Sequence, residues 1–180
     1  MKIIGQRIVI RDLSLKDVDD FYEYGKGENV GPNAGWKPFA SKDIAKRVLS
    51  SYIMSSETFC IALKDNNKLI GTISLYNNSI RKYNKIKSLG FSLNENYWNK
   101  GYMTEAVKLM INYVFTKTDC ELLEVGHHAG NYGSKRVIEK SGFIYDGRLA
   151  KFKKRYDGRL IDADFYSMTK EDYKRKIRYE

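Results

Sequence analysis

The stretch from Trp98 to Phe115 constrains the fold most, because its pattern predicts a loop followed by a long amphipathic helix. Residues 89–93, LGFSL, predict a strand that leads into the loop. Within the helix, apolar side chains recur at intervals of three and four residues, which places them on one face. These are Met103, Ala106, Val107, Met110, Ile111, Val114 and Phe115. The chain therefore predicts a strand, a short loop containing Gly101 and a helix that packs against a sheet.

The start of this helix is a candidate phosphate site. The first backbone N–H groups of a helix have no helical partner, and the helix dipole favours negative charge there. Gly101 would let a phosphate approach the backbone closely, and Lys100 adds a positive charge. The alternative is that Gly101 only makes the turn, since one glycine is far less specific than a full phosphate loop. Both interpretations stay open from this stretch alone.

Composition predicts one folded domain over residues 1–180. Of the 180 residues, 42% are hydrophobic and 13% are aromatic, which is typical of a globular protein and argues against disorder. Lysine and arginine number 32 against 22 acidic residues, a net charge of +10. Such a charge favours anionic partners, including nucleotides, nucleic acid and ribosomes.

The two cysteines and the N-terminal segment indicate the cellular compartment of the protein. Cys60 and Cys120 both lie in apolar, strand-like segments, so we expect buried free thiols rather than a disulfide framework. The start MKIIGQRIVIRDL lacks a cleavage-like site, and no apolar stretch has the length of a membrane span. We therefore expect a cytoplasmic protein without a membrane partner.

The element order predicts an α+β, or mixed α/β, domain. The order is β-α-α-β-β-β-α-β-α-β-β, with helices on both faces of a largely antiparallel sheet. The predicted strands span 6–13, 58–63, 69–76, 86–93, 122–126, 143–156 and 159–168, and the helices span 17–24, 44–52, 103–115 and 131–140. Asp157-Gly158 is predicted to be a two-residue turn of the last hairpin. Residues 25–38 predict an exposed loop, in which Trp36 caps the core or lines a pocket.

Two segments together resemble the GNAT superfamily of acyl-CoA-dependent N-acyltransferases. They are WNKGYMTEA and NYGSKRVIEKSGF, and the late hairpin GRLAKFKKRYDGRLIDADFYSM is similar as well. Within the superfamily, the resemblance is to the RimJ/RimL-like branch of ribosomal-protein N-terminal acetyltransferases, and it covers nearly the whole chain. It implies a GNAT-like twisted sheet and transfer of an acetyl group from acetyl-CoA (coenzyme A) to a primary amine, by direct transfer in a ternary complex.

The resemblance also implies the residues that bind coenzyme A. Asn131 matches the asparagine that contacts the pantetheine arm, Ser134 matches a residue near the thioester sulfur, and Lys135 and Arg136 match the adenosine 3′-phosphate end. The strand and diphosphate loop are implied at Phe91, Leu93, Trp98, Asn99, Lys100, Gly101, Tyr102, Met103 and Thr104. Asn131 is also a suitable helix N-cap, and Lys135 and Arg136 also fit a solvated helix face.

Acetyl transfer to an amine needs an acceptor for the amine proton, a polarised thioester carbonyl and a proton for the leaving thiolate. For the acid we predict Ser134, with Tyr132 and Tyr145 as rivals. We predict no cysteine nucleophile, because neither cysteine shows a sequence sign of a lowered pKa.

The base stays open from the sequence. The superfamily commonly has a glutamate where this chain has Ser88, and Glu95 is the nearest carboxylate. Of His127 and His128, at most one can face the acceptor, because neighbouring strand residues point to opposite faces. Deprotonation through water or by the substrate is an equal alternative. No metal site is expected, since the histidine pair lacks further residues at ligand spacing.

The acceptor is not defined by the sequence beyond a primary amine on a small molecule or a protein N-terminus, including that of a ribosomal protein. A basic hairpin argues against polyamines and aminoglycosides. An acidic pocket built from Asp162, Asp164 and Glu28 would reverse this argument. The alternative function is a non-catalytic acyl-CoA-binding or RNA- or ribosome-interacting module, although the chain lacks an RNA-binding signature. A homodimer is a further implication of the resemblance.

Overall fold

The computed structural model of this chain describes residues 1–77, 79–81 and 84–179. Its helices are α1 (Val18–Lys26), α2 (Val30–Ala34), α3 (Lys42–Ser55), α4 (Tyr102–Lys117), α5 (Tyr132–Ser141) and α6 (Lys170–Tyr179). Its strands are β1 (Lys2–Ile4), β2 (Ile8–Asp12), β3 (Thr58–Leu63), β4 (Leu69–Tyr76), β5 (Ile86–Leu93), β6 (Leu122–His128), β7 (Ile144–Lys154) and β8 (Leu160–Thr169). Two short 3₁₀ turns lie at Leu15–Asp17 and Glu95–Tyr97.

All eight strands form one sheet in the order β1-β2-β3-β4-β5-β6-β8-β7. Every neighbouring pair is antiparallel except β5 and β6, which run parallel. Side chains of α4 pack on one face of the sheet, and side chains of α1 and α3 pack on the other. The predicted mixed fold with a largely antiparallel sheet is therefore confirmed.

The long helix follows its predicted pattern. All seven apolar residues of the predicted face are buried, and α4 begins at Tyr102, directly after Gly101. Gly101 has a φ of 79°, in the left-handed region that glycine adopts without steric cost. The prediction that this glycine marks the helix start is confirmed.

Three elements were missed by the sequence patterns, and the predicted element order is wrong at these places. Strand β1 has three residues, too few for alternation to show. Helix α2 is a five-residue turn inside the predicted loop of residues 25–38. Helix α6 is mostly charged, and it packs chiefly through Tyr173, whose ring stacks on Phe115 at 5.3 Å.

The last hairpin has a three-residue turn, so the predicted two-residue Asp157-Gly158 turn is wrong. The Gly158 N–H donates to the Arg155 carbonyl at 2.9 Å, and the Arg155 N–H donates to the Arg159 carbonyl at 2.8 Å. Gly158 has a φ of 86°, which gives the type I turn followed by a glycine bulge that is common in hairpins.

The two cysteines are buried free thiols, as expected, although Cys120 does not lie in a strand. Cys60 belongs to β3, whereas Cys120 precedes β6 in the connection from α4, so that part of the prediction is wrong. Burial raises the pKa of Cys60 to about 12 and also raises the pKa of Cys120. Neither thiol is therefore activated as a nucleophile.

The central strand gives a test of the core. Leu123 in β6 is fully buried, whereas Leu15 is 53% exposed. We expect Leu123→Ala to lower the free energy of unfolding by about 3 kcal/mol, because it removes buried methyl groups and leaves a cavity. Leu15→Ala should change it by less than about 0.5 kcal/mol. Urea unfolding followed by circular dichroism measures both, and equal losses would contradict this placement of β6.

Candidate active site

The centre of the sheet opens where its two parallel strands separate. Strands β5 and β6 pair only from Ile86 with Leu122 to Leu89 with Val125. The remaining residues of both strands, 90–93 and 126–128, line a cavity of about 820 Å³. Unpaired strand edges carry free backbone donors and acceptors, so this opening can bind an extended, amide-containing ligand.

The loop between β5 and α4 closes one end of the cavity. Asn99 has a φ of 59° and Gly101 a φ of 79°, so the chain turns sharply before the helix. The first helical hydrogen bond runs from the Glu105 N–H to the Gly101 carbonyl at 3.0 Å. The amides of residues 102–104 therefore have no helical partner and form a site for an anion.

Arg7 holds this loop in place, a role that sequence reasoning missed. Its guanidinium donates to the Lys100 carbonyl at 2.8 Å and to the Glu105 carboxylate at 2.9 Å, and it lies 4.6 Å over the ring of Tyr102. Burial raises the pKa of Glu105, but the hydrogen bonds from Arg7 outweigh this effect and lower it. Arg7 lies far away in the chain, so no local pattern predicts this contact.

All residues of the predicted strand and diphosphate loop except Lys100 line the cavity. Trp98 anchors the loop, because its indole N–H donates to the Leu93 carbonyl at 2.8 Å. Lys100 does not line the cavity, since its ammonium binds the Asn96 carbonyl at 2.9 Å. The other predicted residues of this group do line it: Phe91, Leu93, Trp98, Asn99, Gly101, Tyr102, Met103 and Thr104.

The start of α5 forms the opposite wall. The Asn131 side chain accepts from the Ser134 N–H at 3.1 Å and donates to the Asn33 carbonyl of α2 at 3.2 Å. The interpretation of Asn131 as a helix N-cap is thus confirmed, and the same side chain also lines the cavity. Ser134 lines the cavity as well, and its hydroxyl has no hydrogen bond to any described residue.

Charges along α5 separate into a solvated face and a cavity face. Lys135 lies 3.7 Å from Glu139 and does not line the cavity, so its interpretation as a solvated side chain is supported. Arg136 and Lys140 do line it. None of the described residues that line the cavity is an aspartate or a glutamate. The cavity therefore favours an anionic ligand at this end.

Two predicted catalytic residues lie away from the cavity. Glu95 accepts a hydrogen bond from the Asn29 amide, and it is not a lining residue. Tyr145 is 54% exposed on β7, and its hydroxyl lies 3.4 Å from Asp164. Of the predicted catalytic group, the structure brings only Ser134 to the cavity; the rival Tyr132 also lies there.

The two histidines lie on opposite sides of β6. His127 is buried, with one ring nitrogen 2.9 Å from the His128 carbonyl and the other 3.4 Å from the Tyr166 hydroxyl. His128 is half-buried and lies under Gly35, where an added Cβ would be 2.6 Å from the imidazole. Burial and the nearby charges of Lys153 and Arg155 lower the pKa of His128. This imidazole is therefore neutral near pH 7 and able to accept a proton.

Ser88 of β5 is hydrogen-bonded to a glutamate of the next strand. Its hydroxyl donates to Glu124, which is 2% exposed and also binds Arg81 at 2.7 Å. Neither Ser88 nor Glu124 lines the cavity. This carboxylate therefore holds strands and a loop together below the opening.

Trp36 serves both of its alternative roles. Its ring stacks on Phe39 at 5.0 Å within the core under α1, and it also lines the cavity. Tyr52, Tyr76, Thr72 and Ser74 also line the cavity, and the sequence patterns did not single them out.

The acidic pocket considered as an alternative does not form at the cavity. Asp164 binds the Arg148 guanidinium through two contacts of 2.7 and 2.9 Å, and Asp162 accepts from the Lys151 N–H at 2.8 Å. Glu28 is exposed and does not line the cavity. The argument that this pocket would reverse the effect of the basic hairpin is therefore wrong.

Among the described residues, no three His, Cys, Asp or Glu side chains cluster in a way that could hold a metal ion. No helix in the described part of the chain is both long and apolar enough to cross a membrane.

Comparison with known proteins identifies the family. Residues 7–144 match the model of the acetyltransferase (GNAT) domain. The chain is 28% identical to N-acetyltransferase p20 of Bacillus licheniformis, over 93% of this chain and 96% of that protein. A GNAT-family acetyltransferase from Bacillus anthracis superposes with a TM-score of 0.85 at 24% identity, covering 95% of this chain and 99% of the other. The ribosomal-protein-S5-alanine acetyltransferase from Vibrio fischeri superposes with a TM-score of 0.74 at 21% identity, covering 96% and 98%. The chain belongs to the GNAT acetyltransferase family and is an acetyl-CoA-dependent N-acetyltransferase.

Proposed function

We propose that this enzyme transfers the acetyl group directly to a primary amine, on a small molecule or a protein N-terminus, within one ternary complex. The observation that carries the proposal is the opening between β5 and β6, which is lined both by the loop before α4 and by His128. An opening of this kind can hold donor and acceptor together, and proximity alone supplies much of the rate acceleration.

The diphosphate of coenzyme A fits the loop end. Unpaired amides at the start of α4 and the side chains of Arg136 and Lys140 offer hydrogen bonds and positive charge. Gly101 leaves the backbone accessible, since among the described residues beyond its chain neighbours only the Arg7 guanidinium nitrogen, at 3.3 Å, lies near an added Cβ. Binding there would place the pantetheine arm along the unpaired edge that contains Phe91.

The residues on either side of the opening have complementary roles. Acetyl-CoA supplies an activated thioester carbonyl. The neutral imidazole of His128 accepts the proton of the amine, directly or through water. The Ser134 hydroxyl donates a hydrogen bond to the leaving sulfur, since it has no other described partner. A covalent acetyl-cysteine intermediate is unfavourable, because burial raises the pKa of both thiols and keeps them protonated.

The alternative of a non-catalytic acyl-CoA-binding or ribosome-interacting module has less support. The sequence alone defines no base, a lack that would favour such a module, but His128 lines the cavity and its lowered pKa suits the role of base. Family membership also favours an enzyme. The solved relative that is named a ribosomal-protein-S5-alanine acetyltransferase supports a ribosomal protein as one member of the proposed acceptor class. The predictions that residues 1–180 form one domain, that the protein is a homodimer and that it is cytoplasmic stay predictions.

The diphosphate site is tested by Gly101→Val. We expect the Kd of coenzyme A to rise at least about tenfold, because the left-handed backbone costs a branched residue about 1–2 kcal/mol and the side chain blocks the approach to the amides. Gly158→Val is the matched control, since Gly158 has a similar φ of 86° and no described residue beyond its chain neighbours has an atom within 4 Å of an added Cβ. Isothermal titration measures both, and an unchanged Kd in Gly101→Val would remove the loop assignment.

The role of Ser134 is tested by Ser134→Ala. Loss of a hydrogen bond to a charged leaving group should lower kcat about 10- to 100-fold. The Kd of coenzyme A should change by less than about twofold. Lys135→Ala is the control, since Lys135 does not line the cavity. Thiol release measures kcat, and full activity of Ser134→Ala would show that the hydroxyl is not used.

The role of His128 is tested by its pH dependence. The base acts when neutral and its pKa is lowered from 6.5, so kcat/KM should rise with pH through a midpoint below 6.5. His128→Gln should abolish this rise and lower kcat about 10²- to 10⁴-fold.

Lys153→Met is the matched variant for this profile. It removes a charge that lowers the pKa of His128, so it should keep activity and shift the midpoint to higher pH. A profile that is identical in wild type, His128→Gln and Lys153→Met would exclude His128 as the base.

A further inference from the structure

The part of the cavity that lies on the α1 and α3 face of the sheet is distinct in chemistry from the loop end. We call it the acceptor pocket and define it by Trp36, Tyr52, Thr72, Ser74, Tyr76 and Ser92. Thr72 pairs with Cys60 in the β3–β4 register, and Cys60 packs with α1 and α3, which fixes the face of these side chains. His128 lies at the edge of the pocket.

The floor of the acceptor pocket is made of neutral hydroxyls that already bind one another. The Tyr24 hydroxyl contacts Ser92 and lies 3.3 Å from Thr72, and Thr72 lies 3.3 Å from Ser92. Ser74 lies 2.9 Å from the hydroxyl of Thr58. Because these groups are mutually satisfied, the floor is rigid and polar but carries no charge.

The walls of the acceptor pocket are aromatic and well supported. Trp36 stacks on Phe39 at 5.0 Å, and Tyr52 meets Phe21 edge-on at 5.9 Å. The Tyr76 ring lies against the strand opening, where a Cβ at Gly90 would be 3.1 Å from it. Burial raises the pKa of Tyr52, so its phenol stays neutral. Supported rings of this kind bind flat apolar groups with little loss of entropy.

The charges around the pocket disfavour a polycation. The described lining residues include no carboxylate, whereas Arg136 and Lys140 are cations of the same cavity. The positive charges of Lys153 and Arg155 also act on His128. Each additional ammonium group of a polyamine would lose hydration here without gaining an anionic partner. A single ammonium, in contrast, can rest against aromatic rings until it loses its proton.

The α2 turn covers the pocket and limits the size of the acceptor. Val30, Asn33 and Ala34 line the cavity from above, and the Asn33 carbonyl accepts the Asn131 amide at 3.2 Å. This bond joins α2 to the start of α5 across the opening. A compact acceptor fits beneath such a cover more readily than an extended peptide does.

We propose that the acceptor is a small primary amine that carries one positive charge and an uncharged aromatic body. The inference rests on the proposed function, since it assumes that acetyl transfer takes place at this opening. The aromatic walls hold the body, the hydroxyl floor meets its polar substituents, and His128 takes the proton of the amine.

Thiol release from acetyl-CoA with a defined amine panel tests this inference. The panel contains phenethylamine, tyramine, spermidine, an aminoglycoside and an unstructured tetrapeptide with a free N-terminus. We expect kcat/KM for the better aromatic amine to exceed that for each other class by about 100-fold. Equal or greater kcat/KM for spermidine, the aminoglycoside or the peptide overturns the inference and leaves the proposed function standing. If acetyl-CoA binds by calorimetry but no amine of the panel causes thiol release, both the inference and the proposed function are overturned.

Two variants link the preference to the pocket. Trp36→Ala and Tyr76→Ala should each raise KM for the aromatic amine about tenfold and leave the Kd of acetyl-CoA within about twofold. Tyr156→Ala is the control, since Tyr156 is 46% exposed on the hairpin turn and lies outside the cavity. Tyr76 lies at the end of β4 and is only partly buried, so its variant keeps the test valid if Trp36→Ala fails to fold. An unchanged KM in folded Tyr76→Ala overturns the inference.

Discussion

The function of this protein depends on the place where two parallel strands stop pairing. Strands β5 and β6 are hydrogen-bonded up to Leu89 and Val125, and beyond that point each has a free edge. Elsewhere in a sheet, free edges are covered or paired, because unpaired backbone groups are costly when they are buried. Here they face a cavity, so a bound ligand can complete the sheet. The fold thus creates its binding site by leaving a part of its own secondary structure unfinished.

The opening would be of little use without the charges around it. Helix α4 aims its positive end at the cavity, and Arg7 fixes the loop through Lys100 and Glu105, so the anion site is formed before a ligand arrives. Preorganised donors need no rearrangement during binding or reaction. The lowered pKa of His128 arises from the same conditions, since burial and nearby cations favour its neutral form. The cations that favour an anionic ligand at this opening therefore act in the same direction as those that keep His128 neutral, as the proposed roles require.

Much of the fold follows from the sequence, because α4 and the strands around it have clear periodicity. The loop at Gly101 and the cap at Asn131 are also local features, and local patterns reveal them. The parts that were missed depend on contacts between distant segments. Glu95 was expected near the reaction because it is close in sequence, yet its carboxylate turns to Asn29. The brace by Arg7 and the aromatic walls depend on the packing of separate elements, which no single stretch of sequence records.

The hydrogen bond between Ser88 and Glu124 sets how far the strands can open. It joins β5 to β6 one residue before their pairing ends, and the Arg81 guanidinium ties the same carboxylate to the loop before β5. This bond therefore opposes further separation of the two strands. Under the proposed function, this bond limits how deeply a ligand can enter between the strands, although neither Ser88 nor Glu124 lines the cavity. A protein of this fold in which the equivalent hydrogen bond lay one residue pair further along the strands would have a deeper or shallower cavity with the same strand order.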